Sequence, residues 1–149
     1  MSLSRPVKVM FVCIHNSCRS QMAEAFARRL ASDALAPSSG GTALADEVDP
    51  IAVMVMAEKG MDISVARPKL ATPEALASSD LIVHMGCGSE AMCPFVPGVP
   101  SENWGVEDPN GKEIEEYRRI RDEIETKVLG LAQRVRASQL SQNTMEFKL

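Results

Sequence analysis

The amino-acid sequence predicts an α/β fold in which a parallel β-sheet is covered by helices on both faces. Short apolar runs rich in β-branched residues alternate along the chain with longer segments that have a helical period. The runs Val7 to Val12 and Leu81 to Met85 are of the first kind, and each is short enough to be a buried strand. From Ile114 to Val135 the apolar residues are spaced three or four apart, which indicates a long amphipathic helix. Such alternation is typical of β-α-β units with parallel strands.

Start and stop signals place the shorter elements. Asp49 supplies an N-cap ahead of a proline at the first helical position, and the helix that follows runs to Lys59, with Gly60 as its C-terminal cap. Thr72 starts another short helix in the same way. The remaining predicted elements are a helix over Gln21 to Ala31, a weak strand over Asp33 to Ser39 and a short strand over Asn103 to Val106. We expect one domain over residues 1–136, followed by a polar tail without period over residues 137–149.

Composition argues against several classes of function. With 149 residues, of which 45% are hydrophobic and 24% charged, the chain is long enough for one globular domain with its own core. A net charge of −4 argues against nucleic-acid binding, and no apolar run is long enough to cross a membrane. Four cysteines without an export signal are typical of catalysis or metal binding rather than of a secreted disulfide framework. We therefore expect a cytoplasmic protein. We also expect it to be a monomer.

A cysteine lies where the first strand ends, and an arginine follows at the first turn of a helix. The sequence between them, Cys13-Ile-His-Asn-Ser-Cys-Arg19-Ser20, is a loop whose backbone N–H groups, with those of the helix start, favour an anion. The same field favours a thiolate, so we expect Cys13 to be ionised at neutral pH. Arg19 adds a planar pair of donors for a tetrahedral oxyanion, and Ser20 can donate a hydrogen bond to the sulfur. The predicted oxyanion-binding residues are Ile14, His15, Asn16, Ser17, Cys18 and Arg19.

The pattern Cys-x5-Arg-Ser after a strand resembles the phosphate-binding loop of the low-molecular-weight protein tyrosine phosphatase superfamily. The string NSCRSQMAE, like ENWGVEDPNGK from Glu102 to Lys112, resembles the arsenate reductases of that superfamily, which take electrons from thioredoxin. The resemblance covers Val7 to about Gln133, and it implies a three-layer, four-stranded version of the predicted sheet. It also implies reduction of arsenate to arsenite for arsenic detoxification, with thioredoxin, glutaredoxin or a low-molecular-weight thiol as reductant.

Reduction of arsenate needs further thiols, and Cys87 and Cys93 are the candidates. Cys87 follows the third strand between two glycines, at the sheet edge that Cys13 is expected to share. The resemblance implies a relay in which Cys13 attacks arsenic, Cys87 attacks Cys13, and Cys93 completes a disulfide with Cys87. Asp108 matches the general acid of the superfamily, which would protonate the departing oxygen.

These assignments have alternatives. Asp108 precedes a proline, which is also ordinary turn chemistry. Cys87 and Cys93 could instead be metal ligands, although the two histidines, His15 and His84, lack a metal-binding spacing. We expect His84 to be an ordinary strand residue with no catalytic role.

Two features of the loops depart from the superfamily pattern. Many relatives have glycine in place of His15, and a histidine there would be strained if the position needed a positive φ. The separation of Cys87 from Cys93 is one residue shorter than in the best-known thioredoxin-linked members, which leaves the reductant open. Cys18 is expected to be a buried thiol, or the partner of Cys13 in a protective disulfide.

The resemblance suggests a potassium ion beside the loop and no tightly bound cofactor. The candidate ligands are Asn16, Glu24, Ser39 and Asp62, although Glu24 also has the spacing of a surface ion pair with Arg28. Two other functions stay open. A low-molecular-weight protein tyrosine phosphatase would need only the thiol of Cys13. A non-catalytic oxyanion-binding or redox-sensing module would leave Arg19 and Asp108 without a role.

Overall fold

The computed structural model describes residues 5–86 and 96–147, and these contain one four-stranded sheet whose strands are all parallel. The strands are β1 (Val7–Cys13), β2 (Leu35–Gly41), β3 (Leu81–His84) and β4 (Ser101–Asn103), in the order β2-β1-β3-β4. The register pairs Cys13 with Gly41 on one side of β1 and Val12 with His84 on the other. The carboxyl ends of β1, β2 and β3 therefore meet at one edge of the sheet.

Helices cover both faces of this sheet, which confirms the predicted three-layer fold. The helices are α1 (Arg19–Leu30), α2 (Pro50–Ala57), α3 (Pro73–Ala77) and α4 (Ile114–Phe147). Alternate residues of β1 separate two cores. Val9 and Phe11 pack in the larger core with residues of α1, α2 and α4, whereas Met10 and Val12 pack with Leu76 of α3. None of the helices in the described ranges is both long and apolar enough to cross a membrane.

Three helices differ from their predicted bounds, and one of them, α2, ends at Ala57, ahead of the turn that leads to Gly60. α1 begins at Arg19 rather than at Gln21, because the loop closes directly onto the first helical turn. α4 continues to Phe147, so most of the segment predicted as a polar tail prolongs the helix. Once a buried stripe has nucleated a helix, each further residue adds a hydrogen bond at little cost.

Two strands also differ, and pairing explains both. β2 lies at Leu35–Gly41 rather than at 33–39, because its register follows β1 as far as Cys13. β4 lies at Ser101–Asn103 rather than at 103–106, because its partner β3 ends opposite Asn103. The length of a strand at the sheet edge is thus set by its neighbour rather than by its own sequence.

His84 is buried in β3, with 5% of its surface exposed. Its Nδ1 atom has no hydrogen-bond partner among the described residues, and burial lowers the pKa of the imidazole. A histidine whose pKa is lower in the folded state than in the unfolded chain is protonated more readily on unfolding. Its stabilising contribution is therefore complete above the unfolded pKa of about 6.5 and is lost as the pH falls below it.

We therefore expect the His84→Leu variant to lose less stability than the wild type between pH 8 and pH 5. Leucine fills a similar space and has no proton to gain, so this part of the pH dependence disappears. Urea unfolding at the two pH values measures the free energy of unfolding of each protein. Equal losses in the two proteins would show that His84 does not contribute to acid sensitivity.

Candidate active site

The predicted oxyanion loop lies at the carboxyl end of β1 and leads into α1. Cys13 is the last residue of β1, and residues 14–18 connect it to Arg19 at the start of the helix. Within the described chain, the N-cap residue Cys18 makes no side-chain hydrogen bond to the first amides of α1. These N–H groups are free to bind an anion, which the partial positive charge of the helix start also favours.

The backbone of the loop turns at Asn16. Among the described residues other than glycine, Asn16 alone has a positive φ, of 49°, which asparagine adopts more readily than most residues. The strain considered for His15 does not arise, because its φ is not positive. Instead, Nδ1–H of His15 donates to the carbonyl of Ala43 at 2.8 Å and fastens the loop to its neighbouring segment.

A chain of hydrogen bonds leads from a distant backbone amide to the sulfur of Cys13. The N–H of Lys69 can only donate, so the atom that it contacts at 2.8 Å is the amide oxygen of Asn16. The nitrogen of the same amide, Nδ2, then donates to Oγ of Ser20 at 2.7 Å. The Ser20 hydroxyl is left to donate its hydrogen to Sγ of Cys13, 2.8 Å away. This direction suits an ionised sulfur, which accepts hydrogen bonds and donates none.

We expect Ser20→Ala to slow the reactions of Cys13 about tenfold, the usual cost of one hydrogen bond to a charged group. The measurement is the rate at which iodoacetamide alkylates Cys13 at pH 7, followed by the mass of the peptide that contains it. Ser78→Ala, at the exposed end of α3, is the matched control. Equal alkylation rates in Ser20→Ala and the control would mean that the hydroxyl does not stabilise the thiolate.

Arg19 and Asp108 meet beside the loop. The Arg19 side chain is 7% exposed, and its Nη1 donates to the carbonyl of Val106 at 2.8 Å and lies 3.4 Å from the carbonyl oxygen of Gly86. Its Nη2 lies 3.9 Å from Oδ2 of Asp108, whose side chain is 45% exposed. The guanidinium is thus held by backbone oxygens, while the carboxyl group stays at the surface where a ligand arrives.

The segment after β2 and the start of α2 hold the loop from outside. The N–H groups of Thr42 and Ala43 donate to the carbonyl of Ile14, both at 2.9 Å. The N–H of Asp49, the N-cap of α2, donates to the carbonyl of Ser17 at 2.8 Å. Sequence reasoning missed these supports because each joins residues that are distant along the chain.

Cys18 is a buried thiol. Burial raises the pKa of Cys18 well above its usual value, and the Asp49 carboxylate adds to the effect. Cys18 therefore stays protonated at neutral pH and is a poor nucleophile, which agrees with the structural role expected for it. Both Cys13 and Cys18 are free thiols in the structure.

A surface cleft of about 1050 Å³ opens beside the loop. Its lining includes Asp108 and the apolar side chains of Leu44 and Ile51. The hydroxyl of Tyr117 donates to Oδ2 of Asp49 on the same wall at 2.6 Å; burial, followed by this hydrogen bond, raises the pKa of the tyrosine. A water molecule occupies about 30 Å³ in the liquid. The cleft therefore has room for a ligand much larger than a tetrahedral oxyanion.

The four candidate potassium ligands are all engaged in hydrogen bonds within the protein. Oε1 of Glu24 accepts a hydrogen bond from the Ser39 hydroxyl and lies 3.4 Å from Nζ of Lys69. The amide oxygen of Asn16 already accepts two hydrogen bonds, and the carboxylate of Asp62 accepts one from its own turn. The carboxylate of Glu24 thus has the Lys69 ammonium as a neighbour, and potassium binding stays a prediction.

Cys87 and Cys93 lie outside the described residues, so the later thiols of the predicted relay have no structural account. The residue before them, Gly86, is described. It lies at the carboxyl end of the sheet beside Arg19, at the edge where Cys13 is also found.

Comparisons with known proteins agree with this geometry. Residues 8–141 match the family of low molecular weight phosphotyrosine protein phosphatases. Arsenate reductase 2 of Staphylococcus epidermidis is 40% identical over 121 residues, which are 80% of this chain and 92% of that protein. The solved thioredoxin-dependent arsenate reductase of Corynebacterium glutamicum superposes with a TM-score of 0.75 at 31% identity over 92% of this chain, which spans 65% of that protein.

A phosphatase is equally close in structure. YwlE arginine phosphatase from Geobacillus stearothermophilus superposes with a TM-score of 0.75 at 29% identity, over 91% of this chain and 97% of that one. Arsenate reductases and phosphatases therefore share the fold, and solved structures of both kinds superpose equally well on this chain. The chain belongs to the low molecular weight phosphotyrosine protein phosphatase family.

Proposed function

We propose that this chain reduces arsenate to arsenite with Cys13 as the nucleophile. The observation that carries the proposal is the surroundings of the Cys13 sulfur. The Ser20 hydroxyl donates to it, and it lies at a strand end that leads into the uncapped start of α1. Relatives named arsenate reductase, at 40% and 31% identity, support this reaction over others that use the same loop.

In the first step the Cys13 thiolate attacks the pentavalent arsenic of bound arsenate. An As–S bond forms, and one oxygen leaves as water after Asp108 has protonated it. The loop amides and the Arg19 guanidinium neutralise the remaining oxygens. Nη2 of Arg19 lies 3.9 Å from Oδ2 of Asp108, which supports these two roles because the group that donates the proton and the group that binds the oxyanion are neighbours.

The second step transfers two electrons to arsenic. The Cys87 thiolate attacks Sγ of Cys13, an S–S bond forms, and the electron pair of the As–S bond stays on arsenic, which leaves as arsenite. Cys93 then attacks Cys87, which creates a Cys87–Cys93 disulfide and releases Cys13 as a thiolate. A dithiol protein of the thioredoxin type would reduce that disulfide, by analogy with the reductant named for the Corynebacterium relative.

A steady-state assay with arsenate tests the proposal, with a thioredoxin system compared with glutaredoxin plus glutathione. Cys87→Ser and Cys93→Ser should each abolish turnover, because the Cys87–Cys93 disulfide that the external reductant acts on cannot form without both thiols. Arsenate reduction that persists in Cys87→Ser would refute the relay. No reduction by the wild type with either reductant would refute the reductase.

Hydrolysis of phosphate monoesters is a second candidate function. The cleft of about 1050 Å³ has room for an organic group attached to the phosphate, and membership of the phosphotyrosine phosphatase family supports this chemistry. A phosphocysteine is resolved by water, so neither Cys87 nor Cys93 is needed. Turnover of p-nitrophenyl phosphate that is lost in Cys13→Ser but kept in Cys87→Ser would identify this activity.

A further inference from the structure

The backbone conformation at Gly86 would allow a side chain, but the surrounding atoms leave no room for one. Gly86 is not among the glycines with positive φ, so other residues can adopt its conformation. A Cβ built there would lie 2.6 Å from the carbonyl oxygen of Val106 and 2.8 Å from Nη1 of Arg19. These two atoms are the acceptor and the donor of the same 2.8 Å hydrogen bond. A methyl group at residue 86 would therefore push against both ends of that bond.

The hydrogen bond between Nη1 of Arg19 and the carbonyl of Val106 holds the guanidinium in place. Nη1 of Arg19 contacts two backbone oxygens, those of Val106 and Gly86, and the side chain is almost fully buried. An arginine without such an anchor retains about 2 kcal/mol of rotamer freedom, which it must give up when it binds an anion. An anchored guanidinium has already given up that freedom, and its remaining donors keep a fixed direction.

We infer that Gly86 is a positioning residue for oxyanion binding, since the absence of its side chain leaves the space that the guanidinium of Arg19 needs. The inference rests on the oxyanion site of the proposed function. It assigns no chemistry to Gly86, which acts through Arg19. A residue that only keeps the sheet edge packed would affect folding to the same extent whether or not an arginine stood at position 19.

The first test is binding of inorganic phosphate, an unreactive tetrahedral oxyanion, followed by calorimetry. Gly86→Ala should raise the Kd about tenfold, the effect of losing one well-aligned hydrogen bond to a charged group. Gly130→Ala is the matched control, because a Cβ at that position of α4 would meet no atom within 4 Å. An unchanged Kd in Gly86→Ala would overturn the inference. A wild type that binds no phosphate would overturn the oxyanion site itself.

The second test asks whether the effect passes through Arg19. Anionic iodoacetate and neutral iodoacetamide both alkylate Cys13, and the ratio of their rates reports the positive charge held near the sulfur. With Arg19 in place, Gly86→Ala should lower the ratio of the iodoacetate rate to the iodoacetamide rate. In an Arg19→Lys background, which lacks Nη1, the same substitution should lower this ratio by less than about twofold. An equal loss in both backgrounds would mean that Gly86 acts on the fold and not on the arginine.

The third test is whether the variants fold. If Gly86→Ala alone does not fold, the Gly86→Ala, Arg19→Lys double variant should fold, because removing Nη1 relieves the side-chain contact at 2.8 Å and leaves the Val106 carbonyl without its hydrogen bond to Arg19. Circular dichroism and thermal unfolding measure this. A double variant that also fails to fold would place the conflict at the Val106 carbonyl and overturn the inference.

Discussion

Replacing Cys13 by serine is expected to lower arsenate turnover at least about 10⁴-fold, because a neutral hydroxyl is a far weaker nucleophile than a thiolate. The loop amides and the Arg19 guanidinium stay in place, so binding of inorganic phosphate should persist. It should even tighten, because one negative charge has left the loop. Steady-state kinetics measure the first effect, and calorimetry measures the second.

Cys18→Ser is the comparison variant, since it changes the other cysteine of the same loop. Only a protonated thiol is lost there, because burial raises the pKa of Cys18. We expect turnover to fall by less than about tenfold, the cost of a modest packing change near the site. A similar loss in the two serine variants would mean that Cys13 is not the nucleophile.

Asp108→Asn should lower kcat for arsenate by about 10²–10³-fold, the usual contribution of a general acid. An amide is too weak an acid to protonate the departing oxygen, which must then leave as hydroxide. KM should change little, because the loop and Arg19 still hold the oxyanion. Initial rates over a range of arsenate concentrations separate the two parameters.

Asp33→Asn is the matched control for the loss of one carboxylate charge. Asp33 is exposed at the amino end of β2, at the opposite sheet edge, and its carboxylate pairs with Arg136. Turnover in this variant should equal that of the wild type. If Asp108→Asn behaved in the same way, Asp108 would have no part in proton transfer and its place before a proline would be turn chemistry alone.

The fold class was predictable from the sequence because its main signals are local. The apolar run from Val7 and the stripe from Ile114 each define an element by their own period, and parallel pairing follows from their alternation. The extent of β4 could not be predicted, because it depends on where β3 ends. The end of α4 was also hidden, because polar residues that continue a helix look the same as those of a loose tail.

The place of the loop from Cys13 to Ser20 between β1 and α1 was predictable for the same reason, since its cysteine, arginine and serine lie within eight residues. Its supports were not. Thr42 and Ala43 reach Ile14 only after β2 has paired with β1. A weak signal was present in the glycines that end β2: a Cβ at Gly41 would lie 2.7 Å from the carbonyl oxygen of Ile14. A glycine pair at a strand end can thus mark a place where another backbone passes closely.

The amide that orients Asn16 belongs to the main chain of Lys69, 53 residues further along. Nineteen of the twenty amino acids carry that N–H, proline being the exception. Changes of side chain at position 69 therefore leave the hydroxyl beside the nucleophile aimed as before. The hydrogen bond that orients Asn16 therefore persists through almost any substitution at position 69.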